Sequence, residues 1–393
     1  MTEGEFPAAG PGIRPPATGE LMSATRTTPL HERHAALGAS FTDFGGWDMP
    51  VRYTSDLAEH HAVRQAAGLF DISHMAEFLV TGEGAGTFLD HALAGRISTM
   101  KAGKAKYSLL LTDAGGVLDD VIVYRLADER FLVISNAGNR EAVAAAFAER
   151  VRGHAADAAV EDVSDAYALI AVQGPRALEI VETTAGIADV APALADLGYY
   201  AWSGGTFQGE PLFIARTGYT GEDGFELMIP NALAPALWDA LLVAGTPLGL
   251  VPAGLAARDT LRLEAGMPLH GHELSTDILP AQAGLGRVVA MDKADFIGKA
   301  ALAAASDDLP VLVGLVADGR RAGRAGYAVL DADSGVPVGE ITSGALSPTL
   351  GYPIALAFVA PASAAVGTSL LIDVRGTRIS ATVTALPFYR RTA

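Results

Sequence analysis

Cysteine is absent from all 393 residues. The chain therefore makes no disulfide, offers no thiol nucleophile and builds no cysteine-ligated zinc or iron–sulfur centre. Also missing is an unbroken apolar run of the ~18 residues a membrane-crossing helix needs. Mean hydropathy is +0.28, yet the most apolar candidate, 353–367, is short and interrupted by Pro, Ser and Gly. Positive charge is scarce: 28 Lys and Arg stand against 45 Asp and Glu, a net charge of −17. No Lys/Arg-rich stripe relieves that balance, so neither nucleic acid nor an anionic membrane is an expected partner. Nucleotide and hydrolase signatures are missing too. Gly298-Lys299 lacks the upstream glycine of a phosphate-binding loop, Gly82-Glu-Gly-Ala-Gly has the wrong spacing for a dinucleotide fingerprint, and neither Ser203 nor Ser343 sits in a nucleophile elbow.

What is present describes a globular chain: half of its residues are hydrophobic and 19% are charged. Its length predicts two or three domains. Residues 1–27, rich in Pro, Gly, Thr and Ala, read as a disordered tail. They carry no apolar core of a secretory signal, and Glu3, Glu5 and Glu20 argue against a mitochondrial presequence. Together with the absent cysteine, this predicts a cytoplasmic protein.

Periodicity predicts a short helix over 29–37, an aromatic-rich turn and strand over 41–53, and a helix over 54–67 with Leu57, His61 and Arg64 along one side. An extended run over 70–80 and a helix over 84–93 follow. A hairpin then pairs 106–112 with 117–126 across Asp113-Ala-Gly-Gly116, before a strand at 131–135 and an Ala-rich helix over 139–152. This order, over 70–155, predicts an α+β unit of split βαβ type. Strands at 167–173, 213–219 and 224–229 and helices at 233–244 and 253–265 come next. Beyond 285 the short strands 311–317, 325–331, 339–342, 354–359, 369–374 and 377–384, punctuated by Gly and Pro, predict a β-barrel or sandwich.

Polar groups inside apolar segments are the candidate functional residues, because burial disfavours them unless they are paired or serve a ligand. Glu226 and Arg258 lead: a carboxylate that can accept from a flat donor ring, and a guanidinium that can grip a carboxylate or carbonyl. Asp119 and Asp120 interrupt the strand 117–126, and alternation turns one of them to the apolar side. Two readings stand. Either this is a hairpin edge, with one acid exposed and the other capping the Gly115-Gly116 turn, or a carboxylate is aimed into a cavity. Tyr107 and Tyr124 on the paired strands fit cross-strand packing as well as a binding wall. Tyr219 fits turn packing, and Arg258 and Arg262, four apart, fit helix-face ion pairs with Asp259 and Glu264. The pairs His60/His61 and His270/His272 lack a third ligand in frame, so no metal site is predicted.

The motifs together resemble the T protein of the glycine cleavage system, an aminomethyltransferase family. They run in order: Asp43-Phe-Gly-Gly-Trp-Asp-Met-Pro-Val51, Gly68-Leu-Phe-Asp-Ile-Ser-His-Met75, Gly115-Gly-Val-Leu-Asp-Asp-Val-Ile-Val-Tyr124, Ala171-Val-Gln-Gly-Pro175, Gly218-Tyr-Thr-Gly-Glu-Asp-Gly-Phe-Glu226, Leu255 through Gly266, Phe296-Ile-Gly-Lys299 and Ile341-Thr-Ser-Gly344. Each is weak alone, but eight in order are specific. The resemblance spans 28–389.

It implies an α+β three-domain cloverleaf: a discontinuous folate-binding domain (28–75 and 160–285), an α+β domain (76–159) and a C-terminal β domain (286–393). It implies tetrahydrofolate as co-substrate and the lipoyl-bearing H protein as partner, with ammonia and 5,10-methylene-tetrahydrofolate as products. Asp120 matches the family's essential carboxylate, Glu226 its pterin-holding acid and Arg258 a folate-contacting arginine. Met75, Tyr107, Tyr124, Ile134, Asn136 and Tyr219 match cavity-lining positions. Tyr389 and Arg391 lie in a Tyr-Arg-Arg run whose exact match stays open. Arg96, Gly286 and His270-Gly-His272 depart from the common pattern, where an acid, a Trp and a Tyr-Gly-Asn are usual. Lys101, Lys104 and Lys106 beside Arg96 form a candidate patch for an acidic partner, or simply a solvated face. Alternatives are a folate-dependent demethylating relative, which usually carries a flavin domain, and a non-catalytic folate binder. An iron–sulfur-assembly relative is excluded by its cysteine signature.

Overall fold

A computed structural model describes residues 25–154 and 157–391. Most of the expected tail over 1–27 lies outside the described residues. At its end Arg26 bridges to Trp47, stacking 4.2 Å over the indole, and pairs with Asp165 at 3.0 Å. Two compact units emerge. One gathers residues up to His74 with Asp165–Thr217 and Asp223–Leu255; the other gathers Met75–Ser164, Gly218–Glu222 and the chain from Ala256.

The first unit is built on a seven-stranded sheet ordered Ile187–Ala191, Trp202–Phe207, Glu210–Ala215, Gly224–Pro230, Tyr167–Gln173, Ala67–Asp71 and Leu250–Pro252. Only the last pair is parallel. Strand alternation sends Phe225, Leu227 and Ile229 into one core with Ile170, Val172 and Leu69, covered by Trp238 and Leu241 of the helix Ala234–Gly245. Trp202–Phe207 escaped sequence reading because two glycines interrupt it, and Leu250–Pro252 because three residues carry no period.

The helix Asp56–Gln65 corrects the expected stripe. It buries Glu59, His60 and Val63, and leaves Leu57 52% exposed. The Glu59 carboxylate accepts the backbone N–H groups of Tyr53 at 2.8 Å, Thr54 at 3.1 Å and Gly254 at 2.9 Å. Three donors to one buried acid outweigh the exposure of one leucine.

The second unit holds a five-stranded antiparallel sheet ordered Ala105–Leu111, Val117–Ala127, Arg130–Ser135, Ala76–Thr81 and Ala159–Asp162. Helices Ala85–Ala92 and Arg140–Gly153 cover one face, around Phe78, Val121, Val123, Phe131, Val133, Phe88 and Phe147. The extended run expected over 70–80 is in fact two strands, Ala67–Asp71 in the first unit and Ala76–Thr81 here. The C-terminal strands close into a six-stranded barrel, which settles the choice between barrel and sandwich. Its core gathers Leu315, Val329, Ile341, Ala357, Ile372 and Val383. Among the described residues no helix is long and apolar enough to cross a membrane.

The helix Leu255–Glu264 is fastened by charge as well as by its buried Ala257, Leu261 and Leu263. Arg262, almost wholly buried, donates to Asp259 at 2.9 Å, Glu273 at 3.1 Å, the Met267 carbonyl at 3.3 Å and the Ser343 hydroxyl at 2.9 Å. Glu264 accepts from the Ser347 hydroxyl at 2.5 Å and from the Thr349 hydroxyl and N–H at 2.7 and 3.0 Å. Glu273 also accepts the Leu269 N–H at 2.9 Å. Removing one member of such a buried pair strands the other without its counter-charge. Glu273→Ala should therefore cost about 3 kcal/mol of unfolding free energy, read from the guanidinium midpoint; a loss below about 1 kcal/mol would show that Asp259 alone compensates.

Candidate active site

The hairpin Ala105–Leu111/Val117–Ala127 positions the acids. Its turn closes through the Thr112 N–H to the Gly116 carbonyl and the Gly115 N–H to the Thr112 carbonyl, both at 2.9 Å. Gly116 has no room for a side chain, since a Cβ there would sit 1.7 Å from the Thr276 carbonyl oxygen. Register then pairs Leu109 with Asp120, Tyr107 with Ile122 and Ala105 with Tyr124, while Ile122 faces Ile134 on the next strand. By alternation Tyr107, Asp120, Ile122, Tyr124 and Ile134 share the face away from the Val121/Val123/Val133 core. Glu77, opposite Ile134, adds a buried carboxyl to that face that sequence reading missed.

Asp119 points the other way and is wholly buried. The hairpin-edge reading is thereby overturned: the strand is interior to the sheet, and neither acid caps the glycine turn. Instead Asp119 accepts the Asn136 backbone N–H at 3.0 Å, the Asn136 side-chain amide at 2.8 Å and the Asn139 amide at 2.7 Å. The same Asn136 Nδ2 donates to Asp120 Oδ1 at 2.8 Å, and the Tyr107 hydroxyl donates to Asp120 Oδ2 at 3.0 Å. Burial, and then the charge of Asp120, push the Asp119 carboxyl up to about 7. Burial also raises Asp120, against the donors Tyr107 and Asn136 and the nearby His270. Asn139 was not foreseen; its signal was the second Asn in Asn136-Ala-Gly-Asn139.

Tyr219 lies in the same unit. Its hydroxyl donates to the Pro268 carbonyl at 2.6 Å, and the Arg258 guanidinium stands 4.8 Å over its ring. Burial raises the phenol, with Arg262 and Arg258 opposing and Asp120 adding to the rise. The helix-face reading thus holds for Arg262, paired with Asp259, while Arg258 stacks on the tyrosine. Met75 is half-buried just before Ala76–Thr81. The Tyr389 N–H donates to the Glu264 carbonyl at 2.8 Å, which holds the C-terminal segment on the helix carrying Arg258; Arg391 is exposed.

Glu226 belongs to the first unit. It sits on Gly224–Pro230 between Ala215 and Ala171, off the core face, and the Thr217 hydroxyl donates to its Oε2 at 2.5 Å. The Thr217 carbonyl in turn accepts from Gln173 at 3.0 Å.

The departures from pattern take structural partners. Arg96 pairs with Asp292 at 2.7 Å, His270 reaches the Val117 carbonyl at 3.3 Å, and His272 the Thr342 carbonyl at 2.8 Å. Lys106 donates to the Arg96 carbonyl at 2.9 Å, whereas Lys101 and Lys104 are exposed. Among the described residues no group of three or more His, Asp or Glu is placed to hold a metal.

The raised Asp119 carboxyl has a stability consequence. Its folded value of about 7 lies above the reference 3.8. Between those values the folded state holds a proton that the unfolded state has lost, so stability from this site is present below pH 4 and fades as pH rises to 7. Asp119→Asn removes that slope. The stability of the variant relative to wild type should rise by on the order of a few kcal/mol between pH 4.5 and 8. Parallel stability curves across that range would place the carboxyl at its ordinary value.

Two family models match the chain: the GCVT N-terminal domain over residues 30–293 and the glycine cleavage T-protein C-terminal barrel domain over 311–390. An aminomethyltransferase of Cutibacterium acnes is 55% identical over 375 residues, covering 94% of this chain and 100% of the relative. Another, of Saccharopolyspora erythraea, is 54% identical, covering 95% and 100%. The crystal structure of glycine cleavage system aminomethyltransferase T from Bartonella henselae superposes with a TM-score of 0.84 at 37% identity, covering 93% of this chain and 98% of that one. An α+β chain with these motifs in order, closing on a six-stranded barrel, belongs to the glycine cleavage T-protein family.

Proposed function

We infer that the chain is a tetrahydrofolate-dependent aminomethyltransferase of the glycine cleavage system, taking its one-carbon unit from aminomethyl-dihydrolipoyl H protein. The relatives' shared name favours this over the demethylating and carrier alternatives. The observation that carries the mechanism is Asp120: a carboxyl with both oxygens hydrogen-bonded, on a sheet face shared with Tyr107, Ile122, Tyr124, Ile134 and the buried Glu77.

That face suits a flat heteroaromatic substrate, with apolar and phenolic walls and, in Asp120, a carboxyl oriented by two donors. Transfer replaces the C–S and C–N bonds of the aminomethyl carbon with bonds to folate N5 and N10. The two protons released from those nitrogens are the two taken up by the departing ammonia and thiolate. Positive charge builds on the carbon as its first bond breaks. Asp120 orients the N10 side and stabilises that charge, and its raised pKa suits it to hold a proton in passing. Glu226 is read as the acid that accepts two N–H groups of the pterin, aimed by Thr217. Arg258, set by the Tyr219 ring, is read as the folate-contacting arginine. Met75, Asn136, Tyr389 and Arg391 complete the set that the family resemblance assigns.

Exposed Lys101 and Lys104 are the cations offered to an acidic H protein, since Arg96 is engaged by Asp292. The three-part division at 75/76, 159/160 and 285/286 rests on the resemblance, and the separate cores of the sheet and the barrel in the second unit favour counting those two as distinct. The cytoplasm is the compartment this reading carries with it, in keeping with a chain without cysteine.

The primary test mixes purified protein with aminomethyl-loaded H protein and follows ammonia with and without tetrahydrofolate. Folate-dependent release with methylene-tetrahydrofolate as product is expected; tight folate binding without release would favour the carrier. Asp120→Asn keeps shape and removes charge, and should lower kcat by about 100-fold or more with the fold intact; near-wild-type turnover sinks the role. Glu226→Gln should instead weaken folate affinity by about tenfold or more, seen as a raised KM for folate with kcat largely kept.

A further inference from the structure

We propose that Asp119, held by Asn139, is a positioning residue that locks the Asn136 amide and thereby aims the Asp120 carboxylate. This rests on the reading of Asp120 as the acting group. The argument starts from cost. A wholly buried carboxyl next in sequence to a second carboxyl is electrostatically unfavourable, and a neutral residue of the same size would fill the space. The carboxyl therefore needs a use that shape does not supply.

The geometry provides one. An asparagine side chain has one donor edge and one acceptor edge, and the two differ little in size. Asn136 Nδ2 lies 2.8 Å from Asp119 Oδ1 and 2.8 Å from Asp120 Oδ1. With acceptors on both sides only the NH2 edge fits, one N–H to each acid. Asp119 is thus what forbids the flipped amide, whose oxygen would face Asp120 and repel it. Asn139 Nδ2 at 2.7 Å and the Asn136 backbone N–H at 3.0 Å fix Asp119 in turn. Strand alternation keeps Asp119 on the core side of the sheet, so its hydrogen-bonded route to Asp120 runs through Asn136.

An isosteric Asp119→Asn brings a second NH2 to the Asn136 amide and permits the flip. Its kcat should fall about 10- to 100-fold, with KM for tetrahydrofolate changed less than threefold and the thermal transition retained. A merely structural residue would leave kcat unchanged and move only KM or the pH-dependent stability. The decisive readout is a double-mutant cycle with Asn136→Ala. If Asp119 acts through that amide, Asp119→Asn lowers kcat no further once the amide is gone. Multiplicative losses, or an Asp119→Asn kcat within twofold of wild type, overturn the proposal. Should Asp119→Asn fail to fold, Asn139→Ala carries the same cycle, with a smaller expected loss and the same criterion. Asp120→Asn, run in parallel, separates the two ideas. Wild-type kcat there removes the underlying reading, whereas loss at Asp120 with none at Asp119 removes only this one.

Discussion

One primary amide between two carboxylates organises the candidate site. Asn136 satisfies Asp119 and Asp120 together, and it can do so only because consecutive strand residues point to opposite faces while their Cα atoms remain neighbours. The loop after Arg130–Ser135 must then end at the strand's edge, where one Nδ2 reaches both acids. Much upstream structure serves that placement. The side-chain-free turn at Gly116 sets the hairpin, and the register puts Asp120 opposite Leu109. The Val121/Val123/Val133 core pins the strand so that Asp119 stays inside and Asp120 stays out. A slip of one residue would exchange the two acids.

The same economy of charge recurs away from this sheet. Arg258 and Arg262 stand one turn apart on one helix, yet their surroundings divide them. Arg262 is sunk among Asp259, Glu273 and Ser343 and anchors the helix to the barrel; Arg258 stacks on Tyr219. Glu264, bound to Ser347 and Thr349, fastens the same last turn. The buried Ala257, Leu261 and Leu263 add apolar contact with less angular definition, because hydrophobic contact is non-directional and hydrogen bonds are not. Here the angular definition is spent on the direction of Arg258.

Local signals made much of this legible in the sequence. Period-two alternation and Gly/Pro punctuation marked the long strands, and the alternation around Asp119-Asp120 already required one acid to face inward. The motif resemblance supplied Tyr107, Tyr124, Ile134 and Asp120, which the register places on one face. What escaped depends on contacts distant in sequence. Glu59 defeats the Leu57 stripe because its donors include Gly254, 195 residues away. Trp202–Phe207 is a strand despite two glycines because neighbours on both sides pair with it. Asn139 acquires a role only once a fold brings it to Asp119. Tertiary pairing of polar groups leaves no period behind, and so it is the part a sequence conceals.

That asymmetry explains why the inward acid was the harder one to assign. A residue whose neighbour does the chemistry is usually discounted as scaffold, and a buried residue more so. Yet the stability of a scaffold would be better served by a neutral side chain at 119, since burial and the charge of Asp120 both work against ionisation there. The fold tolerates the carboxyl and supplies three donors to hold it. Three donors holding a carboxyl in an unfavourable place are a mark of a functional constraint. Asn136 donates to both acids, so the orientation of a single amide links the interior of the sheet to the face proposed for carbon transfer.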